Sequence, residues 1–280
     1  DVLAGVGLHP VIRDERWVPG HEVAGRVVAV GSAVTDIAPG DRVMALLERG
    51  GYARQVVTSR HLVMPLPDSL SFTEGAGVLV TGLTAIACVE EAGRVNPGDR
   101  VLVQSAAGAT GQAVVQLALH HGAEVFGTAS SPAKLDVLRQ LGVQHCINYV
   151  DEDFAEAVST RAGEVDVIVD ALAGDAVTRG MAVLADGGRF IEMGAGVALE
   201  VAGLDPQAMF LRNQTFSGVN ISQVMRRPAH LARLMRRLSE LLQTGALRPR
   251  VGHCLTFSQA ADAHALLRSR RSIGKVVLAA

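Results

Sequence analysis

The chain has 280 residues, of which 49% are hydrophobic and 19% are charged, and its formal net charge is -2 at pH 7. This composition is that of an ordinary globular chain of one or two domains, and it excludes a disordered or fibrous protein. The near-balanced charges give no field that would attract nucleic acid or an anionic membrane. The basic cluster at residues 226–237 has leucines at helical spacing between its arginines, which predicts a helix with a solvated outer face.

The apolar stretches and the cysteines exclude further classes of protein. The longest apolar stretch, residues 75–89, is interrupted by threonine and glycine and is shorter than the roughly 20 residues of a membrane span. No secretory signal is recognisable. Cys88, Cys146 and Cys254 are far apart, which argues against a disulfide framework and a cysteine-rich metal site. These features predict a cytoplasmic protein that binds neither membrane nor nucleic acid.

Two styles of element follow each other along the chain. Residues 22–44 form short apolar runs separated by glycine, serine and proline, which is typical of antiparallel strands joined by turns. From Thr81 onward, apolar strands alternate with amphipathic helices. The predicted elements are strand 100–104, helix 110–121, strand 124–128, helix 133–141 and strands 166–170 and 188–193. This order predicts a β-rich unit followed by an α/β unit with a parallel sheet. Periodicity alone does not place the later helices and the closing strand 275–279.

A turn suited to phosphate follows the first of these strands. Ala106, Gly108 and Gly111 have the G-x-G-x-x-G spacing, with alanine in the first position. Small residues let the backbone approach a pyrophosphate, whose charge is held by N–H groups at the start of the next helix. Glycines also serve ordinary tight turns, but the strand before and the helix after favour dinucleotide binding. The candidate cofactor contacts here are Ala107, Gly108, Ala109, Thr110 and Gly111.

The end of the second strand, after Thr128, indicates which dinucleotide is bound. An NAD site needs Asp or Glu here to accept hydrogen bonds from the ribose 2'-hydroxyl, but the sequence from Thr128 to Lys134 contains no acid. Ser130 and Lys134 instead offer a hydroxyl and a cation for a 2'-phosphate. The alternative is that Lys134 is an ordinary exposed helix lysine. The sequence therefore predicts NADPH as cofactor.

Several strings of residues resemble the medium-chain dehydrogenase/reductase superfamily, in the proper order. They are residues 20–25, 39–43, 105–111, 187–194 and 273–278. Within the superfamily, residues 208–216 are similar to enoyl reductase domains of animal fatty acid synthases and type I polyketide synthases. The segment around Asn148 and Tyr149 is more similar to the corresponding segment of NADPH-dependent quinone oxidoreductases. Both branches are zinc-free and use NADPH.

The resemblance implies a fold with two domains. A Rossmann domain with a doubly wound parallel sheet is expected at residues 83–216. A β-rich, GroES-like catalytic domain is expected from residues 1–82 and 217–280. Because the sequence opens within a recognisable motif, this second domain is expected to lack its first strands.

The resemblance also carries functional roles onto residues of this chain. In the quinone oxidoreductase branch a lysine, a tyrosine and a late arginine hold the 2'-phosphate, which implies Lys134, Tyr149 and Arg270, with a backbone contact at Ser130. Nicotinamide contacts are implied at Thr81, on the loop that begins at Leu172, and at Met193, Gly194, Val219 and Asn220.

One histidine of this chain stands at a position that binds zinc in other members of the superfamily. His21, followed by Glu22, stands where zinc alcohol dehydrogenases of the superfamily place a metal-binding histidine. Catalytic zinc needs three protein ligands, and Thr81 stands where those enzymes carry their last one. The run of four close cysteines that binds structural zinc is also missing from the sequence. The sequence therefore predicts no metal.

A site without zinc suits conjugate reduction, in which hydride is added to the β-carbon of an enoyl thioester and the α-carbon is protonated. The lysine and aspartate proposed as acids in synthase enoyl reductases are replaced here by Ala195 and Ser222. A tyrosine that many polyketide reductases carry aligns with His9. Histidine side chains can donate a proton near neutral pH, which makes His9 the candidate proton donor. The alternative is an ordinary exposed loop histidine.

The leading prediction is an NADPH-dependent enoyl-thioester reductase of a polyketide or fatty acid synthase. Its substrate would be tethered to acyl carrier protein or coenzyme A, and other synthase domains would be its partners. The alternatives are a stand-alone NADPH quinone or enone oxidoreductase and a catalytically silent NADPH-binding domain.

Overall fold

The computed structural model describes residues 18–172, 174–194 and 204–280. These residues form two compact units. The first unit comprises residues 18–83 together with Ile221–Ala280, and the second comprises the described part of Thr84–Asn220. His9 and Ala195 lie outside the described residues, so the structure gives no account of the candidate proton donor.

The first unit opens with antiparallel strands, as the alternation of short runs and turns predicts. They are β1 (Glu22–Arg26), β2 (Arg42–Leu46) and β3 (Val63–Pro65), paired in sequence order. Gly40 has a φ of 98°, and its N–H donates to Val27 O at 2.8 Å, so glycine allows the sharp turn that leads into β2. Met44 and Leu46 on β2 are fully buried, so the central strand of this sheet contributes to the hydrophobic core of the unit.

A long apolar helix follows. Helix α1 (Phe72–Ile86) continues without interruption into a π-helical turn (Ala87–Ala92). At its start, Ser71 and Glu74 form a capping box, in which each side chain binds the other residue's N–H. By length and composition the whole segment could cross a membrane, yet 72% of its most apolar window is buried inside the protein. The helical segment is longer than the apolar stretch of residues 75–89 that the sequence indicated. Its burial identifies it as a core helix.

The second unit is an α/β layer structure built on a parallel sheet. Its described strands are β4 (Arg100–Val103), β5 (Glu124–Ala129), β6 (His145–Asn148), β7 (Val165–Asp170), β8 (Leu184–Glu192) and β9 (Thr215–Gly218). Its described helices are α2 (Ala109–His120), α3 (Pro132–Gln140), α4 (Phe154–Ala162), α5 (Asp175–Ala182) and α6 (Pro206–Leu211). The sheet order is β6-β5-β4-β7-β8-β9, and every adjacent pair is parallel. This is the strand order of a doubly wound Rossmann fold, as predicted.

The central strands show why this sheet forms. Val101, Leu102, Val103, Val167, Ile168 and Val169 are all fully buried. Strands covered on both faces read as unbroken apolar runs, because helices pack on each side of a parallel sheet. Strand β8 begins four residues earlier than the predicted 188, and β6 and β9 were not predicted, because their short or polar runs lack a clear pattern.

The chain then completes the first unit. Its described elements are α7 (Ile221–Met225), α8 (Pro228–Thr244), β10 (Val251–Thr256), α9 (Ala260–Arg268) and β11 (Lys275–Ala279), and β10 pairs with β11 in parallel. Helix α8 buries its leucines, whereas Arg226, Arg227, Arg233 and Arg236 are exposed. The predicted amphipathic helix is confirmed.

Candidate functional site

Hydrogen bonds to strand β5 hold the turn between β4 and α2. Ser105 has a φ of 52°, a left-handed conformation that is uncommon for a residue with a side chain. Its N–H donates to Thr128 Oγ1 at 3.2 Å, and that hydroxyl donates to Gln104 Oε1 at 2.7 Å. The N–H of Ala106 donates to Thr128 O at 2.9 Å. Thr128 and Gln104 are buried, so these bonds fix the strained turn in a dry environment.

Glycine is required where helix α2 meets this turn. A Cβ on Gly111 would lie 2.5 Å from Ser105 O and 2.7 Å from Ala106 Cα, so no side chain fits. Gly108 is the N-cap of α2 and has no side chain to cap the helix. The first N–H groups of a helix lack partners within the helix, so those at Ala109 and Thr110 are placed for an anion. Ala107 is almost fully buried, which leaves its main chain as the part that can contact a ligand.

At the end of β5 the structure brings two predicted phosphate ligands together. Lys134 Nζ donates to Ser130 Oγ at 3.2 Å. The N–H of Tyr149, which follows β6, donates to Ala129 O at 3.1 Å, so Tyr149 begins the segment beside the end of β5. A hydroxyl and an ammonium group thus meet at one corner of the sheet, beside the segment that begins at Tyr149. This is the donor chemistry that a phosphate monoester binds.

Two acids that sequence reasoning missed lie farther along the same edge of the sheet. Asp170 ends β7 and Glu192 ends β8, and the two are directly paired in the strand register. We call them the carboxyl pair. Burial, and next the neighbouring Asp170, raise the pKa of Glu192 to about 7, although the N–H of Gly194 opposes this by binding the carboxylate. An acid at the end of predicted strand 166–170 and another one residue before the end of predicted strand 188–193 are the signal that could have revealed the pair.

The predicted nicotinamide contacts divide between the two units. Leu172, Met193, Gly194 and Val219 follow β7, β8 and β9 at the carboxyl edge of the sheet, and Asn220 comes next and is exposed. Thr81 lies in the first unit, buried within α1, and its Oγ1 donates to Gly77 O at 2.9 Å. The remaining predicted phosphate ligand, Arg270, also lies in the first unit, just after α9.

Glu22, which follows the histidine considered as a zinc ligand, has a structural role. Glu22 is almost fully buried, forms an ion pair with Lys275 and accepts a hydrogen bond from the N–H of Val80 at 2.9 Å. This ties β1 and β11 to α1 next to Thr81. His21 is half-buried, and that burial lowers its pKa. Among the described residues no group of three His, Cys, Asp or Glu side chains could hold a metal ion.

Comparison with known families bears on both units. Residues 5–68 match the alcohol dehydrogenase GroES-like domain, and residues 141–278 match the zinc-binding dehydrogenase family. The crystal structure of CurK enoyl reductase superposes with a TM-score of 0.90 at 33% identity, covering 100% of this chain and 87% of that one. The chain belongs to the enoyl reductases of polyketide synthases. These form a branch of the medium-chain dehydrogenase/reductase superfamily, and the fold of this chain is accordingly a GroES-like domain with an NAD(P)-binding Rossmann domain.

Curated relatives are much longer than this chain. A phenolphthiocerol/phthiocerol polyketide synthase of Mycobacterium tuberculosis is 35% identical over 281 residues, which is 99% of this chain and 13% of that protein. The pikromycin synthase component PikAII of Streptomyces venezuelae is 36% identical, with 99% of this chain and 7% of that protein covered. A quinone oxidoreductase of Escherichia coli, solved with NADPH, has a TM-score of 0.90 at 25% identity and covers 99% of this chain and 86% of its own. The chain thus corresponds to one segment of multidomain synthases.

Proposed function

We propose that this chain reduces an enoyl thioester with NADPH, adding hydride to the β-carbon and a proton to the α-carbon. The observation that carries the proposal is the match to the CurK enoyl reductase over 87% of that chain. The substrate would be tethered through pantetheine to an acyl carrier protein or to coenzyme A. Other domains of a synthase would be its partners, since the curated relatives are polyketide synthases.

The residues at the ends of β4 and β5 fit NADPH. Gly111 leaves room for a pyrophosphate against the turn, and the start of α2 offers N–H groups to it. Lys134 and Ser130 offer a cation and a hydroxyl where a 2'-phosphate would lie, and the segment from Thr128 to Lys134 has no carboxylate to bind a 2'-hydroxyl. When bound, NADPH supplies the hydride.

The other parts of the chain take separate roles in this proposal. Residues 83–216 bind the cofactor, and residues 1–82 and 217–280 form the catalytic domain. The loops that begin at Leu172, Met193 and Val219 receive the nicotinamide. Thr81 and Arg270 stay the sequence-based candidates for further cofactor contacts. The protein orients the alkene and stabilises the developing enolate by oriented N–H donors. His9 stays the sequence-based candidate for the proton donor.

The experiment that tests the proposal follows NADPH consumption by absorbance with crotonyl-pantetheine as substrate. We expect oxidation that depends on the thioester and gives butyryl-pantetheine. Butyryl-pantetheine itself is the matched control, because it lacks the double bond and should consume no NADPH. NADPH that binds but is never oxidised by any enone would instead establish a catalytically silent domain.

A second candidate function is reduction of a free quinone or enone. The NADPH complex of the Escherichia coli quinone oxidoreductase, which shares the fold at a TM-score of 0.90, favours it. The same assay separates the two functions when a simple quinone replaces the thioester. Oxidation with the quinone alone would overturn the enoyl-thioester proposal, whereas a preference for the pantetheine thioester would support it.

A further inference from the structure

The main chain and side chain of Asp170 hold two of the loops that receive the nicotinamide in the proposed function. Asp170 is fully buried at the end of β7. Its Oδ1 accepts a hydrogen bond from the N–H of Leu172 at 3.1 Å. Its carbonyl oxygen accepts another from the N–H of Met193 at 2.9 Å. One residue therefore connects the loop after β7 with the loop after β8.

Glu192 does the same one strand farther along. Its Oε1 accepts a hydrogen bond from the N–H of Gly194 at 2.8 Å, and its carbonyl oxygen accepts one from the N–H of Val219 at 2.8 Å. The packing here is tight, because a Cβ on Gly194 would lie 2.8 Å from Ala171 O and 2.9 Å from Glu192 Oε1. Four predicted nicotinamide contacts are thus each held through an N–H group by one member of the carboxyl pair.

The two acids cannot both carry a charge at low cost. They are paired in register on adjacent strands, and a hydrogen bond between the two side chains helps to raise the pKa of Glu192. Glu192 Oε2 is shielded from solvent, and no N–H or O–H group of the described residues donates to it. Like charges that share a buried site favour protonation of one of them. Among the described residues, the titratable groups that interact with Glu192 are Asp170 on β7 and Cys88 on the π-helical turn. Burial raises the pKa of Cys88 to about 12, so that thiol stays neutral.

We propose that Asp170 and Glu192 share one proton and act as positioning residues, which hold the loops after β7, β8 and β9 in the arrangement that binds the nicotinamide. This inference rests on the proposed function, because it needs the cofactor to bind at this edge of the sheet. Loss of the shared proton at alkaline pH places two negative charges side by side, and their repulsion loosens the N–H bonds of the loops.

The first arm of the test measures the dissociation constant of NADPH by its fluorescence between about pH 6.5 and pH 8.5. We expect the Kd of the wild-type protein to rise about threefold to tenfold over this range, since one unit of pKa shift on binding corresponds to a tenfold change in affinity. Glu192→Gln keeps an acceptor for Gly194 and cannot ionise, so its Kd should stay low and lack this rise. Glu192→Ala loses the acceptor and should bind weakly at every pH.

Asp186→Asn is the matched control, because Asp186 lies on the same strand with its side chain 77% exposed. It should follow the wild-type profile. Ionisation of the cofactor's own 2'-phosphate, with a second pKa near 6, acts on all variants alike and cancels in the comparison. Parallel profiles for the wild type and Glu192→Gln would overturn the proposal, as would binding by Glu192→Gln as weak as that by Glu192→Ala.

The second arm needs no cofactor and follows the melting temperature with pH. The pKa of Glu192 is about 7 in the folded protein and 4.5 for an ordinary glutamate, so the folded state holds more protons between these values. The wild-type melting temperature should therefore fall, relative to Glu192→Gln, as pH rises through this window, and level off above it. Asp170→Asn should reduce this fall.

The two arms separate the inference from the proposed function. A wild-type protein that binds no nucleotide would overturn the proposed function and the positioning role with it, while the melting profile would still decide whether a proton is shared. A melting difference that does not change with pH would overturn the shared proton even where NADPH binds.

Discussion

The carboxyl end of β5 and the carboxyl ends of β7 and β8 lie on the same edge of one parallel sheet, yet they present opposite chemistry. At β5 the chain offers a hydroxyl and an ammonium group, Ser130 and Lys134, and no acid. At β7 and β8 it ends in two acids, Asp170 and Glu192. The first region offers side-chain donors to an anionic ligand, whereas in the second the acids bind the N–H groups of the protein's own loops.

This difference shows how one sheet edge can serve the two halves of a dinucleotide. A phosphate needs donors that have no partner within the protein, which explains why the N-cap of α2 is a glycine. A neutral ring needs loops whose shape is fixed before it binds, because order gained on binding costs affinity. The carboxyl pair can supply that order, at the cost of burying Asp170 fully and Glu192 in part.

The largest expected effect comes from a substitution at Gly111, where helix α2 meets the turn after β4. In Gly111→Ala the new Cβ would meet the main chain of Ser105 and Ala106 at 2.5 and 2.7 Å, and neither can move without disturbing β4. We expect a loss of about 3 kcal/mol in the free energy of unfolding, measured by denaturant titration, and loss of NADPH binding. Gly108→Ala is the control for stability, because its Cβ would lie 3.3 Å from Ser105 O. Equal stability of the two variants would contradict this account of the turn.

A smaller effect is expected from Thr128, which supports the same turn. Thr128→Val removes the hydroxyl that accepts from the Ser105 N–H and donates to Gln104, and leaves buried polar groups without a partner. This should reduce the free energy of unfolding by about 2 kcal/mol. Thr128→Ser keeps the hydroxyl and should lose much less. A Thr128→Val variant as stable as the wild type would show that the hydrogen bonds of this hydroxyl do not hold the turn.

The smallest effect concerns the cation that distinguishes the two regions. Lys134→Ala should raise the Kd for NADPH about tenfold, the value of one hydrogen bond to a charged group, and leave the Kd for NADH unchanged. Arg139→Ala is the control on the same helix, since Arg139 is exposed and pairs with Asp136. An equal loss of NADH affinity would show that Lys134 supports the fold of this corner and does not contact the 2'-phosphate.

Local patterns in the sequence predicted most of the second unit. The apolar runs of β4 and β7 and the small residues between Ser105 and Gly111 are legible because a parallel strand and a phosphate turn each impose a pattern on consecutive residues. Short strands such as β6 and β9 carry too few residues for such a pattern. The pattern of short apolar runs and turns also predicted strands of the first unit. The resemblance to the medium-chain superfamily added the expectation that residues 217–280 belong to the same domain as residues 1–82, although the whole Rossmann sheet separates them in the chain.

By itself the sequence determined the class of fold, the phosphate turn and a strand end without a carboxylate, because each depends on residues close together in the chain. Only the tertiary structure decided that Asp170 and Glu192 meet, since a pairing between parallel strands joins residues that a helix and two loops separate. It also decided that the apolar segment around Thr81 is a core helix, because burial depends on what packs against a segment and not on its composition.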